Sequence, residues 1–126
     1  MSLKYRVVFV NPGEKTSRLA EYDLSEVRGP VSLGVKLHSE VYESWKKPVY
    51  HPDNALVIGT GLLAGSKLYG VHRLVAVFRS PLTRGLHVAA MGGAAYQLAA
   101  RLHSIVVEGA AGRPTIVLLR GHKDGA

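Results

Sequence analysis

Cysteine is absent from the 126-residue chain. Without thiolates the protein cannot form a disulfide, a cysteine nucleophile, a thiolate zinc site or a cysteine-ligated iron–sulfur cluster. Long apolar runs are absent as well, since no stretch approaches the roughly 18 residues of a membrane span. The N-terminal residues 1–6 also lack the apolar core of a signal peptide. We therefore expect a cytoplasmic protein with no membrane partner.

Acidic residues are missing from the whole middle of the chain. Sixteen Lys and Arg against nine Asp and Glu give a net charge of +7. No acid lies between Asp53 and Glu108. That stretch carries Lys67, Arg73, Arg79, Arg84 and Arg101, with His72, His87 and His103. A cationic middle predicts an anionic partner, which is a phosphorylated cofactor, a nucleic acid or the acidic face of a protein.

No pattern in the sequence matches a catalytic or metal-binding motif. The six histidines are scattered, and none forms an HxH or HExxH set. Gly65-Ser66 lacks the second glycine of a GxSxG nucleophile elbow. The acids belong to the outer segments and offer no candidate pair for two-carboxylate chemistry. We predict no catalytic residue and no metal ligand in this chain.

Two glycine-rich segments are the candidate ligand-binding positions. Gly59–Gly65 follows a predicted strand, as phosphate-binding loops do, although it lacks both the P-loop ending and the dinucleotide spacing. Gly92-Gly93 precedes an alanine-rich segment that is predicted to be helical. Glycine lets a ligand approach backbone N–H groups, which bind anions. A tight turn with close packing explains the same residues without a ligand.

The hydrophobic pattern predicts an α+β domain of short, mostly antiparallel strands with two helices. Residues 4–10 and 16–22 form a predicted hairpin around Asn11-Pro12-Gly13. Further strands are predicted at 55–58, 72–79, 86–90, 104–107 and 115–119. One domain is expected to cover residues 1–120, with 121–126 as a frayed tail.

The first predicted helix covers residues 31–45, and the second covers 94–103. In the first, Ser32 is the expected N-cap. Its expected buried face consists of Val31, Val35, Leu37, Val41, Tyr42 and Trp45. Tyr42 and Trp45 are therefore interpreted as core residues rather than as ligand-stacking residues.

Several short motifs occur in an order that resembles the N-terminal domain of the aldehyde:ferredoxin oxidoreductases. The motifs are Pro52–Gly65, Arg73, Ser80–Thr83, Gly92-Gly93, Ile105–Gly109 and Arg113-Pro114. In the same order they correspond to the family's AxGPLTG loop, GGR, SPLTG, Gly-Gly turn and IVVEGKAEKPV segment. The hairpin and Leu33–Leu37, at the place of the family's GRGL helix, extend the resemblance to nearly the whole chain.

The resemblance implies a site for a tungsten or molybdenum bis-pterin cofactor. The family's enzymes oxidise aldehydes to acids with ferredoxin as electron acceptor, and they hold a four-iron cluster through cysteines. By this resemblance Arg73 lies between pterin and cluster, and Gly92 and Gly93 contact the cofactor phosphates. Gly61 and Gly65 then belong to the same cofactor-binding segment. Anion binding would explain the acid-free middle, since each pterin carries a phosphate.

The chain departs from the family where the chemistry depends on it. Ala90 stands at the position of the family's metal-bridging asparagine, and the glycine loop has lost its Pro and Thr. Without cysteine this chain cannot hold the iron–sulfur cluster. The sequence corresponds to the first half of the family's N-terminal domain only. We therefore expect a stand-alone domain, a subunit or remnant that contributes to aldehyde oxidation only within a larger oxidoreductase complex. Two copies are expected to form a homodimer in place of the two halves.

The alternative hypothesis is a non-catalytic basic module that binds nucleic acid or an acidic protein partner. Nucleic-acid affinity would fall steeply with salt. The basic stretch before Tyr96 holds only Tyr69 and Phe78 as aromatic residues, so base stacking has little support. A purely structural or regulatory subunit is a third hypothesis.

Overall fold

The computed structural model describes residues 4–48, 51–62, 67, 73–91 and 102–109. Six strands in these ranges form one sheet with the order β2-β1-β6-β3-β4-β5. The strands are β1 (Lys4–Asn11), β2 (Thr16–Asp23), β3 (Leu56–Gly59), β4 (Leu74–Arg79), β5 (Leu86–Met91) and β6 (Ser104–Val107). One α-helix, α1 (Pro30–Lys36), packs on this sheet, so the predicted α+β class is confirmed.

The N-terminal hairpin is confirmed. β1 and β2 are antiparallel from the pair Lys4 and Asp23 to the pair Asn11 and Thr16. Asn11 Oδ1 accepts hydrogen bonds from the backbone N–H of Gly13 at 3.1 Å and of Glu14 at 3.2 Å. This side-chain bond closes the turn locally, as Asn typically does in tight turns.

One strand pair is parallel, so the sheet is mixed, whereas the sequence predicted mostly antiparallel strands. β1 runs parallel to β6, with Val7 beside Ser104 and Val10 beside Val107. The other neighbouring pairs of the described sheet are antiparallel. Two parallel strands need a long connection between them. The chain from the end of β1 at Asn11 to the start of β6 at Ser104 provides this connection. Local sequence patterns do not show that the last described strand enters the sheet next to the first.

The first predicted helix is shorter than expected. α1 ends at Lys36, a π-helical turn follows over Leu37–Val41, and a 3-10 turn covers Ser44–Lys46. Glu43 adopts the left-handed conformation with φ of 47°, which interrupts the helical path. The N-cap is Gly29 rather than the predicted Ser32. The Ser32 hydroxyl lies in the first turn and accepts from the N–H of Gly29 at 3.2 Å.

The predicted buried face of this helix was largely wrong. Leu37 and Tyr42 are buried as expected, but Trp45 is 62% exposed. The valines expected on that face, Val31, Val35 and Val41, are exposed as well. Val41 and Trp45 lie beyond the end of α1, in the π-helical turn and the 3-10 turn. Within α1 the reason is Gly34, where a Cβ would stand 2.5 Å from the Val77 side chain. This close approach to β4 sets which side of α1 faces the sheet.

Apolar side chains are buried on both faces of the central strands. The larger cluster lies under α1 and comprises Tyr5, Val7, Phe9, Val27, Leu33, Leu37, Tyr42, Ala55, Val57, Val77 and Val106. The smaller cluster on the other face comprises Val8, Leu102 and Ile105, with Val10 and Val107 packed against it. Burial on both faces explains why β1 and β6 consist of nearly continuous apolar residues.

Several sequence predictions fall outside the described residues. These are the strand at 115–119, the tail at 121–126 and most of the second predicted helix at 94–103. The last two residues of that helix, Leu102 and His103, are described and are not helical. The prediction of two helices is therefore corrected as well, because the described ranges contain a single α-helix. No helix in those ranges is long and apolar enough to cross a membrane.

Candidate functional site

An open groove of about 970 Å³ lies between the start of α1 and the neighbouring ends of β3 and β4. We call it the Arg73 groove. It is defined here by Arg28, Gly29, Lys36, Gly61, Arg73 and Val75. Gly61 follows β3 and Arg73 precedes β4, and these strands are adjacent and antiparallel. The strand pairing therefore brings together Gly61 and Arg73, two residues that are 12 positions apart in the sequence.

The groove contains cationic side chains that no described carboxylate neutralises. Arg73 is exposed and makes no ion pair with a described residue. Arg28 donates from Nε to the carbonyl oxygen of Leu24 at 2.9 Å, and no carboxylate in the described part pairs with it. Lys36 differs, because two carboxylates that also line the groove pair with its Nζ, Glu40 at 3.1 Å and Glu26 at 4.0 Å. Arg28 and Arg73 are therefore the groove's candidate anion-binding groups.

Close packing does not require glycine at the two glycine positions of the groove. A Cβ added to Gly61 or to Gly29 would meet no protein atom within 4 Å, and neither residue has a positive φ. Gly59 is the opposite case, because its Cβ would stand 2.0 Å from the Ser104 Oγ. Gly59 thus packs against β6. Gly61 leaves its backbone accessible from the groove, which suits a close ligand contact.

A buried polar network fixes the chain just before Gly61. The Tyr5 hydroxyl donates to the Thr60 carbonyl oxygen at 2.8 Å, and it lies 2.8 Å from the Ser104 Oγ. Since that hydroxyl has one proton, Ser104 donates to Tyr5. The Thr60 N–H donates to the His103 carbonyl oxygen at 2.7 Å. The end of β3 is therefore held by β1 and β6.

The same network keeps Tyr5 protonated. Burial raises the pKa of Tyr5 to about 12, although the hydrogen bond from Ser104 lowers it. The His103 ring stacks on Tyr5 with 4.8 Å between centroids. Burial and the nearby Arg6 lower the pKa of His103. Both rings are therefore neutral at physiological pH, and Tyr5 remains a hydrogen-bond donor.

Two of the five predicted cofactor-binding residues lie in the groove, and they are Gly61 and Arg73. The other three, Gly65, Gly92 and Gly93, lie outside the described residues. Ala90, at the position of the family's asparagine, pairs with the groove residue Val75. No group of three or more His, Asp or Glu side chains in the described ranges is placed to hold a metal ion.

Sequence reasoning missed Arg28, Gly29 and Lys36. The available signal was a Gly-Pro helix start that follows directly after an arginine. The N–H groups of Arg28 and Gly29 donate to the Ser32 Oγ, so the Arg28 side chain is the anion-binding group here. Only the fold places that side chain in one groove with Gly61 and Arg73.

Comparison with known proteins gives a family match and several relatives. The family model for the "Aldehyde ferredoxin oxidoreductase, N-terminal domain" matches residues 7–124. The glyceraldehyde-3-phosphate:ferredoxin oxidoreductase of Pyrococcus furiosus is 44% identical over 72 residues, which are 56% of this chain and 11% of that protein. The uncharacterized protein MJ1185 of Methanocaldococcus jannaschii is 34% identical over 91 residues, 71% of this chain and 14% of that protein.

A solved structure shares the fold. It is the active site complex BamBC of benzoyl coenzyme A reductase with 1,5-dienoyl-CoA, with a TM-score of 0.74 and 23% sequence identity. The match covers 87% of this chain and 18% of that chain. The matched regions thus span only a small part of each relative. The match across residues 7–124 shows that the chain belongs to the family of the aldehyde ferredoxin oxidoreductase N-terminal domain.

Proposed function

We propose that this chain forms one side of a site for a phosphate-bearing pterin cofactor, loaded with tungsten or molybdenum, within a larger oxidoreductase. The observation that carries the proposal is the Arg73 groove, in which Gly61 and Arg73 lie together. Family membership supports it. The name of the Pyrococcus furiosus relative, a glyceraldehyde-3-phosphate:ferredoxin oxidoreductase, supports an aldehyde as the substrate class.

The chemistry of the groove fits such a cofactor. Arg28 and Arg73 offer guanidinium donors, which match the oxygen geometry of a phosphate. Gly61 offers backbone that no side chain covers. Val31, which is 44% exposed, and Val75 add apolar surface on which a planar ring can lie. We propose Gly65, Gly92 and Gly93 as further contacts of the same cofactor.

The bound cofactor supplies the redox centre at which an aldehyde is oxidised. The residues of this chain bind its phosphate, orient its ring and exclude water from one side. We propose no catalytic residue in this chain. Since these 126 residues contain no cysteine, the ligands of an iron–sulfur cluster have to come from outside them. We therefore propose that partner chains complete the enzyme in the cytoplasm.

We also propose that two copies of the chain associate as a homodimer. β2 and β5 lie at the two ends of the described sheet. Exposed strand edges are surfaces on which sheets commonly associate. Such a dimer would place two Arg73 grooves in one assembly, as a cofactor with two pterins requires.

Binding of a phosphate-bearing, oxidised pterin to the purified protein tests the proposal. Calorimetric titration of wild type and Arg73→Ala should show about tenfold weaker binding in the variant, which corresponds to about 1.4 kcal/mol. Arg6→Ala is the matched control, because Arg6 is an exposed arginine of β1 outside the groove. Equal losses in both variants would indicate diffuse attraction by net charge and would contradict the proposal.

A further inference from the structure

A second, smaller crevice lies at the end of α1, beside the π-helical turn and the 3-10 turn. It has a volume of about 180 Å³, and we call it the Trp45 crevice. It is defined by Val35, Trp45, Arg79, Arg84 and Leu86. Trp45 is the single tryptophan of the chain. The proposed cofactor site shares only Val35 and Ser39 with this surface, and these two residues line both.

Large apolar side chains are exposed around the crevice. Trp45 is 62% exposed, Val35 is 47% exposed and Leu86 is 43% exposed. Single exposed apolar residues are common on protein surfaces, but a contiguous set around a concave site is typical of a protein interface. Tryptophan is also the residue type most enriched at the energetic centre of interfaces.

The crevice is held in place by hydrogen bonds. Arg79 donates from Nη1 to the Ser44 carbonyl oxygen at 2.6 Å and also to the Lys47 carbonyl oxygen. It donates from Nε to the Arg84 carbonyl oxygen at 2.8 Å. One guanidinium therefore ties the turn that carries Trp45 to the loop that carries Arg84. A preformed site loses less conformational entropy when a partner binds.

The charge of the crevice selects the kind of partner. No carboxylate lies among its described lining residues. Arg84 is exposed and its guanidinium makes no ion pair with a described residue. Only the Arg84 backbone takes part in the Ser80–Gly85 turn. A second copy facing the same surface would bring another Arg84, which is unfavourable. The complementary partner is apolar and acidic.

We propose that the Trp45 crevice docks a segment of a partner protein that carries leucine-type side chains flanked by carboxylates. The leucine-type side chain fills the crevice between Val35, Trp45 and Leu86, and a carboxylate pairs with Arg84. The chain matches only 11% of one relative and 18% of a solved neighbour, so in those proteins this domain is accompanied by much more protein. The proposal does not depend on pterin binding.

The emission of Trp45 reports occupancy of the crevice directly, because the chain has no other tryptophan. The probe is a synthetic helical peptide of leucines at helical spacing with glutamates between them. Its counterpart has lysines in place of the glutamates. We expect the acidic peptide to shift the emission to the blue with saturation in the micromolar range, and the basic peptide to leave it unchanged.

A charge reversal makes the test specific to the crevice. Arg84→Glu should weaken the acidic peptide at least about tenfold, the equivalent of about 1.4 kcal/mol, and gain binding of the basic peptide. Lys15→Glu is the matched control, because Lys15 lies in the hairpin turn and this substitution changes the net charge by the same amount. This control should bind like wild type.

Three results would overturn the proposal. The first is no emission shift with the acidic peptide at millimolar concentration, or equal shifts with both peptides. The second is a shift with rising protein concentration alone, which would assign the crevice to a second copy. The third is a larger response to a single-stranded oligonucleotide than to the acidic peptide, which would assign it to nucleic acid.

Discussion

Gly59 packs against Ser104 so closely that a Cβ on Gly59 would stand 2.0 Å from the Ser104 Oγ. The same Cβ would stand 3.0 Å from the Cβ of Pro30, the first residue of α1. Gly59→Ala should therefore lower the free energy of unfolding by about 1–3 kcal/mol, the range for overpacked sites. Gly61→Ala should change it by less than about 0.5 kcal/mol, since that Cβ meets open space.

Urea unfolding of the two variants measures the changes in the free energy of unfolding. Pterin titration of the same variants measures the change in pterin affinity. We expect Gly61→Ala to weaken pterin binding, because its methyl group covers the backbone that a ligand approaches. Equal losses of stability in both variants, or unchanged pterin affinity in Gly61→Ala, would contradict the assignment of packing to Gly59 and ligand access to Gly61.

His38 should make the protein less stable in mild acid. Its Nε2 lies 2.9 Å from the Ala55 carbonyl oxygen, which only accepts, so Nε2 carries a proton and Nδ1 accepts from the Ser44 hydroxyl at 2.7 Å. Burial lowers the pKa of His38 from 6.5, although the bond to Ala55 opposes this. The unfolded chain then binds a proton more readily than the folded chain.

The stability contributed by neutral His38 is thus complete above its ordinary pKa of 6.5 and is lost as the pH falls towards the lower folded-state pKa. His103, whose pKa burial also lowers, adds to the same trend. Urea unfolding at about pH 7.5 and about pH 5.5 should show the loss. His38→Gln should reduce the pH dependence, whereas a substitution of exposed His87 should retain it. A wild-type stability that does not fall between these pH values would refute the prediction.

Tyr42 secures the π-helical turn to the end of β6. Its hydroxyl donates to the carboxylate of Glu108, which is 19% exposed and also lies 3.6 Å from Arg18. Tyr42→Phe removes the donor and leaves the half-buried carboxylate underpaired. We expect a loss of about 1.5–3 kcal/mol in unfolding free energy, the range for a hydrogen bond to a charged group.

Tyr22→Phe is the control for this change, because the Tyr22 hydroxyl on β2 makes no hydrogen bond with any residue that the structure describes. It should change the unfolding free energy by less than about 0.5 kcal/mol. If the two variants unfold at the same urea concentration, Tyr42 contributes only its ring to the core.

The proposed homodimer predicts a mass twice that of one chain. Sedimentation equilibrium at micromolar concentration should detect it. Raising the salt concentration should not dissociate the dimer if strand edges form the contact, since backbone hydrogen bonds are only weakly screened. A strictly monomeric mass over the same range would rule out self-association at working concentrations.

Local patterns in the sequence predicted local structure well. The N-terminal hairpin and β6 at Ser104–Val107 were confirmed because alternating or β-branched residues and a turn signal determine them. The parallel pairing of β1 with β6 was not predictable, since nothing near either strand encodes its partner. The exposed side of α1 was predicted wrongly because the contact between Gly34 and Val77 depends on the whole sheet.

The candidate site was predicted in part, and from resemblance rather than from spacing. Gly61 and Arg73 were selected by the order of family motifs, and the fold places both in one groove. Arg28 was missed because its role depends on α1 lying next to the ends of β3 and β4. Residue type alone did not distinguish Gly59 from Gly61, since only the distances to Ser104 and to open space separate them.

The most direct test of the central claim is a titration of the isotopically labelled protein with a phosphate-bearing, oxidised pterin, followed through backbone amide resonances. The account predicts saturable shifts of the Gly61 and Gly29 amides and of Arg73, and loss of these shifts in Arg73→Ala. Unchanged amides in the Arg73 groove at saturating pterin, or shifts spread evenly over exposed basic residues such as Lys15, would contradict it.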